Sequence, residues 1–430
     1  MLQDQLKTGT NNKRDEGGFK ISQKTKIRKL EQCRSCGKQL SLVLSLGETP
    51  LANSFVKPGE SEESFPLELC LCQSCSLVQL GHVVDPELMF RNYLYTTGVS
   101  ETFRRHFASM AKALVSELNL SQDSLVVDIG SNDGLLLGSF KKLGCKVVGI
   151  EPASNLASIA DKNGITTIND FFSDKTAAII TVKYGKADLI TATNVFAHVD
   201  NLETFLSVVK TLLKNDGRLV IEVPYLAKMI EMMTFDTIYH EHLSYFSALS
   251  MVNVFTKNRM QVISIDEVDI HGGSLRVSVK NRDAEPPPAV QKMVKQETDR
   301  NLNKLETYTR FARRVTKSKS DLLRFLSSIR ARNQTIVGYG AAAKANTLLN
   351  YCGISRNYVE YIVDDNPLKQ GLLTPGTHIP VLPSKTLSEE RPNYILVLAW
   401  NLADEIAKKV RQNYGNFEFI VPLPHPRLVQ

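Results

Sequence analysis

Two of the chain's eight histidines stand in one short run, Tyr239-His240-Glu241-His242, with Tyr245 close behind. A hydrolytic metal helix would need histidines four apart around a glutamate, and these are two apart, so that chemistry has no support. Imidazole titrates near neutrality and a neighbouring carboxylate can orient it, so two imidazoles, a tyrosine and a glutamate suit proton transfer instead. A strand would place His240 and His242 on one face and a loop need not, so spacing alone leaves the base open. Tyr93 and Tyr95, and His198 in Asn194-Val-Phe-Ala-His198, are added candidates, although a lone histidine past a strand end is more often structural. His271-Gly272-Gly273-Ser274-Leu275-Arg276 is either a tight turn or a ligand contact.

Seven cysteines, an odd number without a secretion signal, argue against a disulfide framework. Four of them form two knuckles, Cys33-Arg-Ser-Cys36 and Cys72-Gln-Ser-Cys75. Each CxxC can turn two thiolates toward one ion, and two knuckles complete a closed tetrahedral zinc site with no position for water. Metal is therefore favoured over a redox pair, and the site is structural. Cys70 alternates with Cys72 along an extended stretch and is left out as a ligand, with Cys145 and Cys352 expected as small buried hydrophobes.

The run Ser124-Leu-Val-Val-Asp128-Ile-Gly130-Ser-Asn132-Asp-Gly134 carries an apolar strand into a glycine turn and then a helix start at Leu135. In open parallel sheets ligands collect outside the carboxyl ends of the strands, where glycine admits a close approach to the backbone. A dinucleotide fingerprint would need glycines at 130, 132 and 135, and only Gly130 is present, which argues against NAD here. S-adenosylmethionine, which has no pyrophosphate, needs polar contacts for an amino-acid end and for ribose hydroxyls. Asp128, Gly130, Asn132 and Gly134 line the turn, Glu151 ends the second strand where it can accept from both hydroxyls, and Asp170 and Phe171 could flank adenine.

The elements that must hold these groups are legible in outline. Phe103, Phe107, Met110, Leu114 and Leu118 repeat at helical spacing. Strands are expected at 124–129, 146–151, 187–192 and 218–223, alternating with helix-length intervals, which implies a parallel sheet covered on both faces. Pro286-Pro287-Pro288 closes that region, and a charged helical stretch over about 289–331 leads to a second α/β unit. That unit opens with Gly338-Tyr-Gly340-Ala-Ala-Ala343-Lys344 and continues through Asp364-Asp365. Lys344 is either solvated or a phosphate contact.

With 430 residues, 43% hydrophobic and 23% charged, the chain has an ordinary globular composition. Of its net charge of +7, residues 1–28 carry +4, and the remainder is too weak to argue for nucleic acid. That leader is expected to be disordered. No apolar run reaches the roughly 20 residues of a membrane span, and the first thirty residues lack a signal core, so a cytoplasmic location without membrane contact is expected.

On these motifs together, from about Gln32 to the C-terminus, the chain resembles the sugar C-methyltransferases of deoxysugar biosynthesis. The resemblance rests on both knuckles, Ile129-Gly-Ser-Asn-Asp-Gly134, Asn194 to His198, Tyr239 to His242, His271 to Ser274, and Gly338 to Lys344. It implies an α/β chain with a zinc-binding N-terminal domain over 29–92 and a Rossmann-like S-adenosylmethionine methyltransferase domain over 93–284. A helical linker over 285–331 and a Rossmann-like substrate domain over 332–430 follow.

The substrate implied is a nucleotide-linked keto-deoxysugar, held between the last two domains. The resemblance also implies His242 as the base beside Tyr239 and Glu241, His198 and one of Tyr93 and Tyr95 on the sugar, and Asn194 at the methyl donor. His271, Ser274, Arg276, Gly338, Gly340 and Lys344 are assigned to substrate. The base would remove a proton beside a ketone, tyrosines would stabilise the enolate oxygen, and the carbon would attack the methyl in line. No oligomeric state is set, and a monomer is expected. Two rivals remain: an NAD(P)-dependent nucleotide-sugar oxidoreductase using the G-x-G-x-x-A turn at Gly338, and an inactive zinc-organised binding module.

Overall fold

Branched apolar runs make the central strands. Leu125–Ile129 is buried at every position, as a parallel strand covered on both faces must be. A computed structural model describes residues 26–91, 93, 96, 98, 101–270 and 272–429. Tyr95, His271 and most of the basic leader lie outside the described residues.

The largest sheet has seven strands in the order Gln261–Val268, Ser274–Lys280, Leu213–Pro224, Ala187–Thr193, Leu125–Ile129, Lys146–Ile150 and Thr167–Ile168. The last five run parallel, and the first two form an antiparallel pair added at one edge. Helix Glu101–Leu118 buries Phe103, Phe107, Met110 and Leu114, and Leu118 packs at the border of that core. The strand order reverses between Leu125–Ile129 and Ala187–Thr193, which opens a crevice at their carboxyl ends. The glycine turn sits there: a Cβ on Gly130 would lie 2.4 Å from Val195 Cγ2, and φ of +66° is a second reason for glycine.

The C-terminal sheet repeats the plan with six strands, Val381–Leu382, Ile362–Val363, Ile336–Tyr339, Tyr394–Val397, Glu418–Val421 and Arg427–Val429. Its order also reverses beside the glycine turn, where a Cβ on Gly340 would meet Ala399 at 3.1 Å.

The stretch expected as one helical connector is two helices, Pro288–Asp299 and Leu305–Arg330. The second is a packed spine. Tyr308, Phe311, Val315, Leu322, Leu326 and Ile329 are buried along it, in a core shared by the N-terminal strands, the 226–245 segment and the C-terminal sheet.

The N-terminal sheet holds Ser41–Pro50, Ser64–Leu71 and Val78–Leu80, and its fourth strand, Ser244–Tyr245, comes from just beyond the Tyr239 to His242 run. Ile27–Lys29 pairs with His82–Val84, so the last residues assigned to the leader belong to the fold. No helix among the described residues is long and apolar enough to cross a membrane.

Candidate active site

Each cysteine knuckle folds by the same two backbone bonds. Cys33 and Cys72 amides donate to Lys38 and Leu77 carbonyls, and Gly37 and Ser76 amides donate back to Cys33 and Cys72. Both turns close on a left-handed residue, Gly37 at φ +71° and Ser76 at φ +59°. The four sulfurs lie within 4.8 Å of one another, with Cys33 to Cys75 at 3.6 Å and Cys36 to Cys72 at 3.4 Å. Tetrahedral zinc with bonds of about 2.3 Å needs sulfurs about 3.8 Å apart, so the set fits the ion. Cys70 stays outside the cluster, its thiol raised to about 11 by burial.

The cysteine loops are docked on the seven-stranded sheet. Cys33, Cys72 and Cys75 share its core, Asn253 donates to the Cys75 carbonyl at 3.0 Å, and Lys257 donates to that of Ser35. Arg34, with a side chain 1% exposed, bonds Asp200 at 3.2 Å, two residues beyond His198.

At the first glycine turn Glu151 is buried. Its carboxylate accepts from the amides of Asn132 at 2.8 Å and Ala153 at 2.9 Å, and each oxygen retains a lone pair for a hydroxyl. Burial raises its pKa, against those two bonds. Asp128 is raised to about 7 by burial, and its carboxylate takes the Thr191 hydroxyl at 2.6 Å. Asn194 ends its strand in the left-handed region at φ +57°. Phe171 carries the Arg91 guanidinium 4.7 Å from its ring centre, so that face of the ring is taken. Asp170 accepts from the Phe171 amide at 2.9 Å and from Lys175 at 3.3 Å.

Two residues that the sequence reading passed over tie the Tyr93 segment to this crevice. Asp133 accepts the Gly98 amide at 2.7 Å, and Asn155 clamps the Tyr93 backbone, accepting its amide at 3.2 Å and donating to its carbonyl at 2.8 Å. An acid just before a helix start is a capping signal that could have marked Asp133. Nothing local marks Asn155.

The Tyr239 to His242 run is a loop, so its two imidazoles diverge. His240 is buried and turns to the N-terminal strands, where Nε2 donates to the Phe65 carbonyl at 3.2 Å. His242 joins a stack of rings: Phe90 to His198 at 5.4 Å, His198 to His242 at 5.2 Å, and His242 to Tyr239 at 4.0 Å. Its Nδ1 donates to the Thr237 carbonyl at 2.8 Å, leaving Nε2 as the lone-pair nitrogen. Burial lowers His242 to about 4, and lowers His198 well below the usual imidazole range with help from His242. Both rings are neutral at neutral pH.

The expected support of His242 by Glu241 is replaced. The Thr237 carbonyl orients the imidazole, while Glu241 accepts from the Tyr93 hydroxyl at 2.7 Å and from Asn53 at 2.6 Å. Lys369, another residue without a sequence signal, is buried and donates to the Ala341 carbonyl at 2.7 Å, linking the second glycine turn to this corner. Burial lowers its pKa, and Asp364 and Glu241 oppose that shift.

Two substrate assignments change. Ser274 is 1% exposed and its hydroxyl donates to the Ile270 carbonyl at 3.1 Å. Arg276 bonds Glu222 at 2.6 Å, and His106 meets the same carboxylate at 2.8 Å. Both are consumed within the sheet edge. At the second glycine turn Gly338 is packed against Ile362 and Leu398. Lys344 is part-buried: it bonds Asn401 and lies 5.0 Å from the Trp400 ring centre. The Asp364 carboxylate accepts the Ala341 amide at 2.6 Å.

Family models match three consecutive stretches: a zinc binding domain at 33–90, a methyltransferase domain at 101–265, and a C-methyltransferase C-terminal domain at 269–424. The C-methyltransferase NovU of Streptomyces niveus is 35% identical over 412 residues, which is 94% of this chain and 98% of that protein. Among solved structures, the magnesium protoporphyrin IX methyltransferase of Synechocystis PCC 6803 with bound S-adenosylmethionine is 14% identical. It matches with a TM-score of 0.32 over 41% of this chain and 78% of its own. An S-adenosylmethionine-dependent methyltransferase of Clostridium acetobutylicum is 11% identical, with a TM-score of 0.33 over 42% of this chain and 92% of its own.

Proposed function

Because the chain belongs to the C-methyltransferase family, with S-adenosylmethionine and a structural zinc ion as its cofactors, we propose that it methylates a ring carbon of a nucleotide-linked keto-deoxysugar. The observation that carries this reading is the neutral imidazole of His242, whose Nδ1 proton is held on the Thr237 carbonyl so that Nε2 is free to accept. A sugar carbon becomes nucleophilic only when the proton beside a ketone is removed, and a positioned base with adjacent oxyanion donors does that.

In this reading His242 Nε2 takes the proton, and Tyr239, packed against the imidazole, donates to the developing enolate oxygen, with Tyr95 as the second donor. His198 and Tyr93 border the sugar, Tyr93 being held in place by Glu241 and Asn155. The turn at Gly340, with Lys344, takes the diphosphate, while Gly338 lies within the strand before it. When bound, S-adenosylmethionine supplies a sulfonium methyl at the first glycine turn. Glu151 and its neighbours fix its orientation, which removes much of the entropy cost of a bimolecular encounter.

The test is to incubate the protein with a panel of nucleotide-linked 4-keto-6-deoxysugars and labelled methyl donor. One should gain a methyl on the carbon next to its ketone, located by fragment mass. Methylation on oxygen or nitrogen, or none by protein that binds the donor, would overturn the reading.

Glu151→Ala is expected to weaken S-adenosylmethionine binding by about 1–3 kcal/mol, since a charged acceptor is lost and the Asn132 and Ala153 amides are stranded with it. Glu151→Gln, which keeps one acceptor oxygen, should lose less. Calorimetry giving wild-type affinity for the alanine variant would remove Glu151 from the site.

A further inference from the structure

The aim of His242 depends on one carbonyl, and the C-terminal unit grips the segment that carries it. Thr237 closes a single helical turn, Phe235–Thr237. Trp400 Nε1 donates to Asp236 Oδ2 at 2.7 Å, and the Thr347 hydroxyl donates to the Ile238 carbonyl at 3.2 Å. These bonds fall on the residues before and after Thr237. Asp236 is fully buried, and its Oδ1 has no hydrogen-bond partner among the described residues. Such a carboxylate costs stability in a packed boundary where an apolar side chain would serve. Trp400 is in turn flanked by Lys344, whose ammonium lies 5.0 Å from its ring centre and is bonded to Asn401.

We propose that Trp400 and Asp236 are positioning residues through which the C-terminal unit sets the tautomer of His242. The indole N–H fixes Asp236, and the short turn then holds the Thr237 carbonyl toward Nδ1. With Nδ1 carrying the proton, Nε2 presents its lone pair. If the turn relaxes, Nδ1 loses its acceptor and the proton can sit on Nε2, where it blocks the base. The second α/β unit thus completes the site from behind as well as facing it, and Lys344 connects the same indole to the second glycine turn. The inference rests on His242 being the base only for its effect on rate; the effect on the tautomer stands apart.

The test uses the full zinc-loaded chain labelled with ¹⁵N-histidine, with the His242 imidazole signals assigned by their loss in His242→Gln. The wild type should show the Nδ1-protonated form. Trp400→Phe keeps a ring for Lys344 and loses the donor. It should shift His242 toward the other tautomer and lower methyl transfer by about 10- to 100-fold, with S-adenosylmethionine affinity unchanged as the sign of an intact fold. Asp236→Asn, which still accepts from the indole, should keep the wild-type tautomer, and Asp236→Leu should not. An unchanged tautomer in both Trp400→Phe and Asp236→Leu overturns the proposal, whatever the rate does. A shifted tautomer with a wild-type rate upholds the positioning and puts the fault in the assignment of the base. Should Trp400→Phe fail to fold, the two Asp236 variants decide alone.

Discussion

His242→Ala is expected to bind both ligands and to lose methyl transfer by about 10² to 10⁴-fold, the range of a general base. The sharper measurement separates proton removal from methyl transfer. With S-adenosylhomocysteine in the donor site, wild-type protein in deuterated water should exchange the hydrogen beside the ketone, and His242→Ala should not. Tyr239→Phe should slow exchange and methylation by about 10²-fold, since one oxyanion donor is lost. Exchange at the wild-type rate in His242→Ala would move the base to His198 or Glu241, because Nε2 of His240 is already on the Phe65 carbonyl. The pH profile carries a sign as well. Burial holds His242 down at about 4, so its lone pair is present above that value. As a result kcat/KM should fall only when pH drops toward it, well below where an ordinary imidazole would titrate.

Cys72→Ser should lose its zinc and with it the ordered N-terminal region. Structural zinc in small domains contributes about 10–16 kcal/mol of apparent binding energy, comparable with the whole stability of a domain. The damage should spread. Arg34, between two ligands, holds Asp200 near His198, and three of the ligands share the methyltransferase core. Metal analysis and thermal unfolding check this together: full zinc in Cys72→Ser would reject the ligand set. Cys70→Ala, outside the cluster, should cost about 1 kcal/mol.

What could be seen in the sequence was whatever local chemistry decides. Knuckle spacing is local, so the tetrathiolate was legible. The strand Leu125–Ile129 and its glycine turn were legible because a buried parallel strand has no polar side to confuse it. The orientation of His242 was not, since its partner is a backbone carbonyl in a loop, and carbonyls have no letter in the sequence. Glu241 was expected beside the imidazole by adjacency, yet its partners, Asn53 and Tyr93, come from distant parts of the chain. Arg276 looked free to bind a ligand because Glu222 faces it only across paired strands. Lys369 and Trp400 gave no signal because what gives them a role is the docking of one sheet on another.

The strand Ser244–Tyr245 bears on how the protein is made. It pairs with Val78–Leu80, and Leu80 also donates to the Leu243 carbonyl at 3.0 Å. Emerging from the ribosome, the N-terminal strands must wait for about 160 further residues, roughly 8–30 s at ~5–20 residues per second, before the Val78–Leu80 edge is covered. Through that interval Val78–Leu80 presents open backbone to any passing chain, the situation that invites aggregation and swapping. A nascent chain stalled before Ser244, or a fragment cut there, should therefore depend on chaperones. Expression at lower temperature, or with added zinc to close the knuckles early, should raise the yield of the full-length protein more than it raises that of the fragment.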